Sequence, residues 1–385
     1  MLRSDPVVSS FLAATTTRRL NPLTSIRFLA AVSVIWLHVQ VLFYSAEMRD
    51  WIPRINSVSL FFVLSGFILS YVYSSRLRGG KFRFLIARIV RLWPPLVASI
   101  LLMWLVAPAT LGREFTFGKL AAVLTMTHAW VPFRTYWFAF VPTAWTISTE
   151  FGLYFCFLFL ICRWERTWLW KLAGSFIVLC LVILFFEAER ARLAAWSGSF
   201  WYFYMYVHPL ARMFEFTLGM ATFELWRRVG PRINNGLPAG TACELAAVAL
   251  VVFIMWLAPV WADRVTRLWF FGSELVGFWM LSGPSSIGYA ALIFVLAQEQ
   301  GLLARLLSHP VLVLLGRLSY SIYLVHWPVL VFFSAHRKSF AGTPDWVMFS
   351  IIGVLILAFA YLIWATIEKP CRALLKRVWP ARANA

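Results

Sequence analysis

Apolar positions along this chain come in runs of 16 to 25 residues, broken by short basic, polar or Pro- and Gly-bearing stretches. Runs near twenty are what an α-helix needs to cross the hydrocarbon core of a bilayer. Ten such runs predict helices near residues 24–45, 57–75, 94–111, 143–162, 169–187, 208–227, 240–258, 284–299, 316–334 and 345–367. The stretches 115–130 and 268–283 fit the pattern less well and read as interfacial or re-entrant pieces. The expected fold class is an all-α polytopic membrane protein of about ten transmembrane helices.

Composition supports that class: 61% of residues are hydrophobic and 13% charged, far from the soluble average. The net charge of +19 would suit nucleic acid, but the basic residues fall between apolar runs and form no reader motif. Lipid headgroups are the better partner. With the N-terminus inside, the inner loops and ends hold 23 Lys and Arg and the outer loops 11, which places both termini in the cytoplasm. Residues 76–95 read as a basic amphipathic helix on the inner surface, stopped by Pro94 and Pro95. The domain reading is a flexible cytoplasmic segment over 1–20, one transmembrane domain over 21–375, and a basic cytoplasmic tail over 376–385. The first twenty residues lack the apolar core of a cleaved signal, so the first span is expected to serve as the insertion signal. Five cysteines show no C-x-x-C and no metal-ligand spacing, so neither a disulfide nor a metal is expected.

Ionisable residues inside these runs change the picture from architecture to chemistry. In RFLAAVSVIWLH, Arg27 and His38 are eleven positions apart. On an α-helix that spacing is about 20° past three full turns, so the two side chains share a face, roughly 16 Å apart along the axis. Counting residues from the nearest ends of their spans puts His38, Glu150 in AWTISTE and Glu215 in RMFEFTLGM at similar depths, roughly 10 Å below the outer surface, with His326 near mid-membrane. A charge at such depth costs on the order of 3 kcal/mol, so these groups should face one another or a wet cavity. Arg212 and Glu215, three residues apart, could instead neutralise each other, and His326 could be only an interhelical hydrogen-bonding residue; both readings stay open.

Several stretches resemble the acyltransferase family 3 membrane proteins, which O-acylate cell-surface and exported carbohydrates. They are RFLAAVSVIWLH, SLFFVLSGFILSY at 59–71, RIVRLWP at 88–94, AWTISTE at 144–150, RMFEFTLGM at 212–220, LGRLSYSIYLVHWPV at 315–329 and IEKPCR at 367–372. Their order and spread cover nearly the whole chain. Two departures stand out: Ser57, Val58 and Ser59 replace a Gly-Val-Asp that many members carry, and Glu150 is followed by Phe151 where many have a second acid. With no hydrolase-like domain after Pro370, the chain resembles the stand-alone branch that decorates exopolysaccharides or lipopolysaccharides.

The resemblance implies a multi-pass protein of the bacterial inner membrane, with acyl-CoA, most simply acetyl-CoA, as co-substrate and no permanently bound cofactor. The acceptor would be a carbohydrate hydroxyl, and polysaccharide-assembly proteins or a second copy of the chain are further candidate partners. Arg27, Arg88 and Arg91 would hold the donor's phosphates. His38 would act as general base, for which neutral imidazole is the required form, and Glu150 would hold the ring's other nitrogen. Ser65, Ser148, Tyr320 and Tyr323 are candidate oxyanion donors. Gly66 would permit close helix packing or passage of the donor, and Arg212, Glu215 and His326 are supporting residues. No Ser lies in a G-x-S-x-G elbow, which disfavours an acyl-Ser route, while an acyl-His38 intermediate stays open. Two rival classes are a proton-coupled transporter of a small solute or glycolipid, against which the missing internal repeat counts, and a non-catalytic scaffold, which leaves His38 without a task.

Overall fold

A computed structural model of the chain describes residues 19–44, 57–74, 80–109, 112, 115–198, 202–268 and 274–378. The N-terminal segment up to residue 18 and the end of the tail from residue 379 lie outside the described residues. Every regular element described is helical. Ten principal helices occupy the ten apolar runs: α1 Asn21–Phe43, α2 Val58–Tyr73, α3 Lys81–Val106, α4 Trp145–Leu160, α5 Trp164–Ala188, α6 Pro209–Val229, α7 Gly236–Leu268, α8 Ser285–Leu296, α9 Pro310–Ala335 and α10 Asp345–Ile363. Among the described residues, eight helical segments are long and apolar enough to cross a membrane. The two principal helices outside that set are α2, with only 16 residues, and α6, whose sequence PLARMFEFTLGMATFELWRRV carries several charges. The protein is an all-α polytopic membrane protein. Apolar side chains such as Phe159, Trp170, Trp256 and Val354 are left bare on helix exteriors, as lipid contact requires.

Two expectations at the boundaries need correction. Pro94 and Pro95 do not stop the basic amphipathic stretch; α3 runs unbroken through both, so this stretch and the third span are one helix. Each proline removes one backbone donor, yet helices in membranes tolerate this where neighbouring groups engage the disturbed backbone. Close to the prolines the Tyr320 hydroxyl donates to the Leu92 carbonyl at 2.7 Å, while the Trp93 side chain ties this stretch to the Leu124 carbonyl at 2.9 Å. The eighth span also starts earlier than its apolar run, because Glu274–Ser282 leads through a short turn into α8. Residues 115–130 form the short helices Phe117–Leu124 and His128–Trp130 rather than a span.

The described residues group into two compact units interleaved along the chain. One comprises residues 1–30, 55–78 and 155–317, the other 31–54, 79–154 and 318–385. In the first, α2 and α6 meet backbone to backbone. A Cβ placed on Gly66 would lie 1.9 Å from the Phe216 carbonyl oxygen, and one on Gly219 would lie 1.8 Å from that of Val63. Reciprocal glycines let the two helices approach more closely than any side chain allows, the packing mode that substitutes for a hydrophobic driving force in lipid. Gly66 therefore serves close helix packing, as one of its two expected roles. Phe67 and Tyr71 then pack edge-on against Phe223 and Trp226. The second unit is built from α3, α10 and parts of α1, α4 and α9, and it carries most of the residues singled out from the sequence.

Candidate active site

His38 lies five residues before the end of α1 and His326 lies within α9, two residues before Pro328. Their rings lie nearly parallel, with 5.1 Å between centroids and 20° between planes. Nδ1 of His38 is 2.9 Å from Nε2 of His326. Trp327 meets the His38 ring edge-on at 5.2 Å, and Tyr323 flanks His326 at 5.7 Å. His326 is fully buried, and its Nδ1 faces the Ile322 and Tyr323 carbonyls of its own helix without a well-formed hydrogen bond.

These contacts favour one sense for the pair. A neutral imidazole carries one N–H, and the carbonyls beside His326 Nδ1 favour a proton there. His326 Nε2 is then an acceptor, so His38 Nδ1 is the donor. The lone pair of His38 is left on Nε2. From the sequence, Glu150 was expected to hold the second nitrogen of His38; in the structure His326 occupies that place.

The turn below His326 ties α9 to the start of α4. The Thr146 hydroxyl donates to the Tyr323 oxygen at 3.2 Å, and the Tyr323 hydroxyl donates to the Thr143 carbonyl at 3.4 Å. Ser148 donates to the Met126 carbonyl at 2.8 Å and accepts from the Ala129 amide at 3.0 Å, pinning a loop in which Met126 has a positive φ. Ser148, Tyr320 and Tyr323 thus spend their hydroxyl protons on backbone carbonyls, which tells against all three as oxyanion donors.

A second cluster in the same unit gathers charge from four helical segments. Arg88 lies over the Phe84 and Tyr154 rings at 5.6 and 5.8 Å. Arg91 feels Tyr154, Glu150, Glu368 and Tyr320. Glu150 accepts a short hydrogen bond from the Tyr154 hydroxyl, one turn along α4. Glu368 is wholly buried, accepts from Ser321 at 3.1 Å and pairs with Arg372. Three guanidiniums, of Arg88, Arg91 and Arg372, meet two carboxylates, of Glu150 and Glu368, leaving one formal positive charge.

Glu368 and Arg372 were not picked out from the sequence, although IEKPCR carries them. Glu368 closes a π-helical turn, Trp364–Glu368, that joins α10 to the helix Lys369–Val378. Such turns often occur at functional sites. The available signal was an acid two residues before a proline at the end of an otherwise uncharged span.

Arg27, Ser65, Gly66, Arg212 and Glu215 belong to the first unit. Arg212 and Glu215 form a buried pair at 2.5 Å, with the guanidinium 4.0 Å from the centroid of the Tyr206 ring and its Nε donating to the Tyr206 carbonyl at 2.8 Å. Ser59 lies close to Glu215, with its hydroxyl donating to the Ser282 carbonyl at 3.5 Å. Mutual neutralisation, one of the two open readings, describes the pair. Arg27 and His38 share the continuous helix α1 with the spacing expected from the sequence.

In comparisons with known proteins, the acyltransferase domain of acyltransferase family 3 matches residues 22–365. No curated protein and no solved structure matches the chain. A match that takes in all ten principal helices settles the family: the chain belongs to acyltransferase family 3 and is a multi-pass membrane acyltransferase.

Proposed function

We propose that the protein moves an acetyl group from acetyl-CoA, on the cytoplasmic side of a bacterial inner membrane, to a sugar hydroxyl of an exopolysaccharide, lipopolysaccharide or lipid-linked glycan. The observation that carries this reading is the 2.9 Å contact between His38 and His326, which directs the basic nitrogen of His38 away from its partner. Nε2 of His38 takes the proton of the acceptor hydroxyl as the oxygen attacks the thioester carbonyl. The tetrahedral intermediate collapses with cleavage of the C–S bond. The imidazolium then returns its proton to the departing CoA sulfur, and the products are the sugar ester and free CoA. His326 accepts the Nδ1–H throughout and steadies the positive charge that forms on His38, the part a carboxylate plays in hydrolytic triads.

Arg27, Arg88 and Arg91 are assigned to the donor's phosphates. The one formal positive charge left over in the Arg88, Arg91 and Arg372 cluster supports this, since a fully neutralised cluster would offer an anion little. Glu150 is a positioning residue for the cluster through Tyr154 and Arg91, rather than the partner of His38. Ser65 is kept as the candidate donor toward the oxyanion. The reading is tested by mass spectrometry of surface glycans from cells with and without the gene. Sugar units that lose the mass of an acetyl ester in the deletion strain, and regain it on complementation, are the expected result; identical glycans would overturn the proposal.

A further inference from the structure

Beyond acyl transfer, we infer that the first unit carries a separate site for a phosphate-bearing anionic ligand, formed by Arg19, Arg305 and Arg317. The three line a cavity of about 630 Å³, together with Asn21, Ser308 and Glu299. That volume lies in the range of small-molecule sites. Arg19 stands just before α1, Arg305 on the short helix Leu302–Leu307, and Arg317 in α9. The bias of Lys and Arg between the loops places this cavity at the cytoplasmic face.

The walls are held apart by rigid contacts. The Ser25 hydroxyl donates to the Leu307 carbonyl at 2.5 Å. A Cβ on Gly316 would lie 2.1 Å from the Thr24 carbonyl oxygen, so the backbones of α9 and α1 abut next to Arg317. Glu244 receives the Leu303 and Ala304 amides at 2.7 and 3.0 Å and anchors the start of the Arg305 helix. The arginines therefore project from fixed supports.

Charge completes the argument. Three arginines and one carboxylate, Glu299, line the cavity, a formal excess of two positive charges. None of the three makes an ion pair or side-chain hydrogen bond with another described residue. Elsewhere in the same unit arginines are compensated: Arg212 by Glu215, and Arg227 and Arg228 by Glu224. Like charges held together without counterions call for an anion with several negative oxygens, and guanidinium forks match phosphate. Two sources supply that chemistry at this face, the diphosphate arm of a nucleotide such as CoA and the headgroup of an anionic phospholipid.

The full chain in phosphatidylcholine nanodiscs is titrated with inorganic pyrophosphate and with CoA, and native mass spectrometry counts phosphatidylglycerol retained from mixed nanodiscs. The double variant Arg305→Gln/Arg317→Gln is compared with Arg264→Gln, an exposed arginine on α7. We expect the double variant to lose pyrophosphate affinity by roughly tenfold for each guanidinium removed, with Arg264→Gln unchanged. A parallel loss for CoA alone assigns the site to the nucleotide; loss of retained phosphatidylglycerol alone assigns it to lipid. Unchanged binding of all three probes, or an equal loss in Arg264→Gln, overturns the inference. The readout is binding and leaves His38 untouched, so this site and the acyl-transfer proposal fail separately.

Discussion

Removing the acceptor behind His38 is the perturbation whose size the geometry sets most directly. His326→Ala deletes the nitrogen 2.9 Å from His38 Nδ1 and leaves the N–H of a buried imidazole without a partner. In the ground state that bond joins two neutral rings and contributes about 1 kcal/mol. In the transition state His38 is becoming an imidazolium, and a hydrogen bond to a charged group contributes about 1.5–3 kcal/mol. The difference appears in kcat rather than in donor KM, because the interaction strengthens only as the proton moves. A difference of about 0.5–2 kcal/mol, a loss of roughly 2- to 30-fold in kcat, follows if the neutral tautomer survives. Because His326 is wholly buried, alanine also leaves a void. His326→Gln controls for this, since its amide oxygen reaches near the position of Nε2 and can accept the same N–H. Initial rates of transfer from labelled acetyl-CoA to a glycolipid acceptor, at saturating and limiting donor, measure both constants. Partial recovery in glutamine and a preserved KM are expected. A variant in which alanine and glutamine are equally impaired with raised KM would show that His326 only shapes the binding site, and an unimpaired alanine variant would refute the pairing.

Gly66→Leu forces the α2 and α6 backbones apart, since even a Cβ would sit 1.9 Å from a carbonyl oxygen; destabilisation of about 3 kcal/mol is expected, read as a lowered unfolding temperature in detergent. Glu368→Ala strands Arg372 and weakens the field at Arg91. Breaking a buried pair costs about 3–5 kcal/mol, but Arg372 is 42% exposed and water compensates it, so about 1–3 kcal/mol is expected by thermal unfolding. His128, in the loop between α3 and α4, is wholly buried; burial holds its imidazole down at about 4 from 6.5, against a smaller upward pull from the Ala122 and Ala144 backbone. The unfolded chain then binds the extra proton first. Its contribution to stability is intact above pH 6.5 and is lost progressively as pH falls toward 4, and His128→Phe should flatten that acid limb of the unfolding-temperature profile.

The helices were legible because lipid imposes a single rule, a run of apolar residues long enough to span, which eight helical segments among the described residues meet while α2 is short and α6 carries charge. Boundaries were less legible where two signals conflict. Pro94 and Pro95 carry a strong helix-breaking signal, yet α3 continues through both as one helix, a continuity that helices in membranes tolerate. Depth along each span grouped His38 with Glu150 and Glu215 and set His326 near mid-membrane, and periodicity within one helix cannot say which side chain of another helix it meets. That is why Glu150 was expected where His326 stands. Glu368 was missed for a related reason: its burial arises from Ser321, distant in sequence, and from a π-helical turn with no sequence rule of its own. Arg212 and Glu215 were readable as a pair because their partner lay three residues away.

The proposal stands or falls on the imidazole of His38. Purified wild-type and His38→Ala protein, given labelled acetyl-CoA and a crude glycolipid acceptor, provide the measurement, with the donor's binding checked in parallel. Loss of a general base predicts transfer slowed by roughly 10²- to 10⁴-fold at unchanged donor affinity, and no acetyl adduct on the wild-type chain when donor is supplied alone. Transfer by His38→Ala at the wild-type rate would contradict the account.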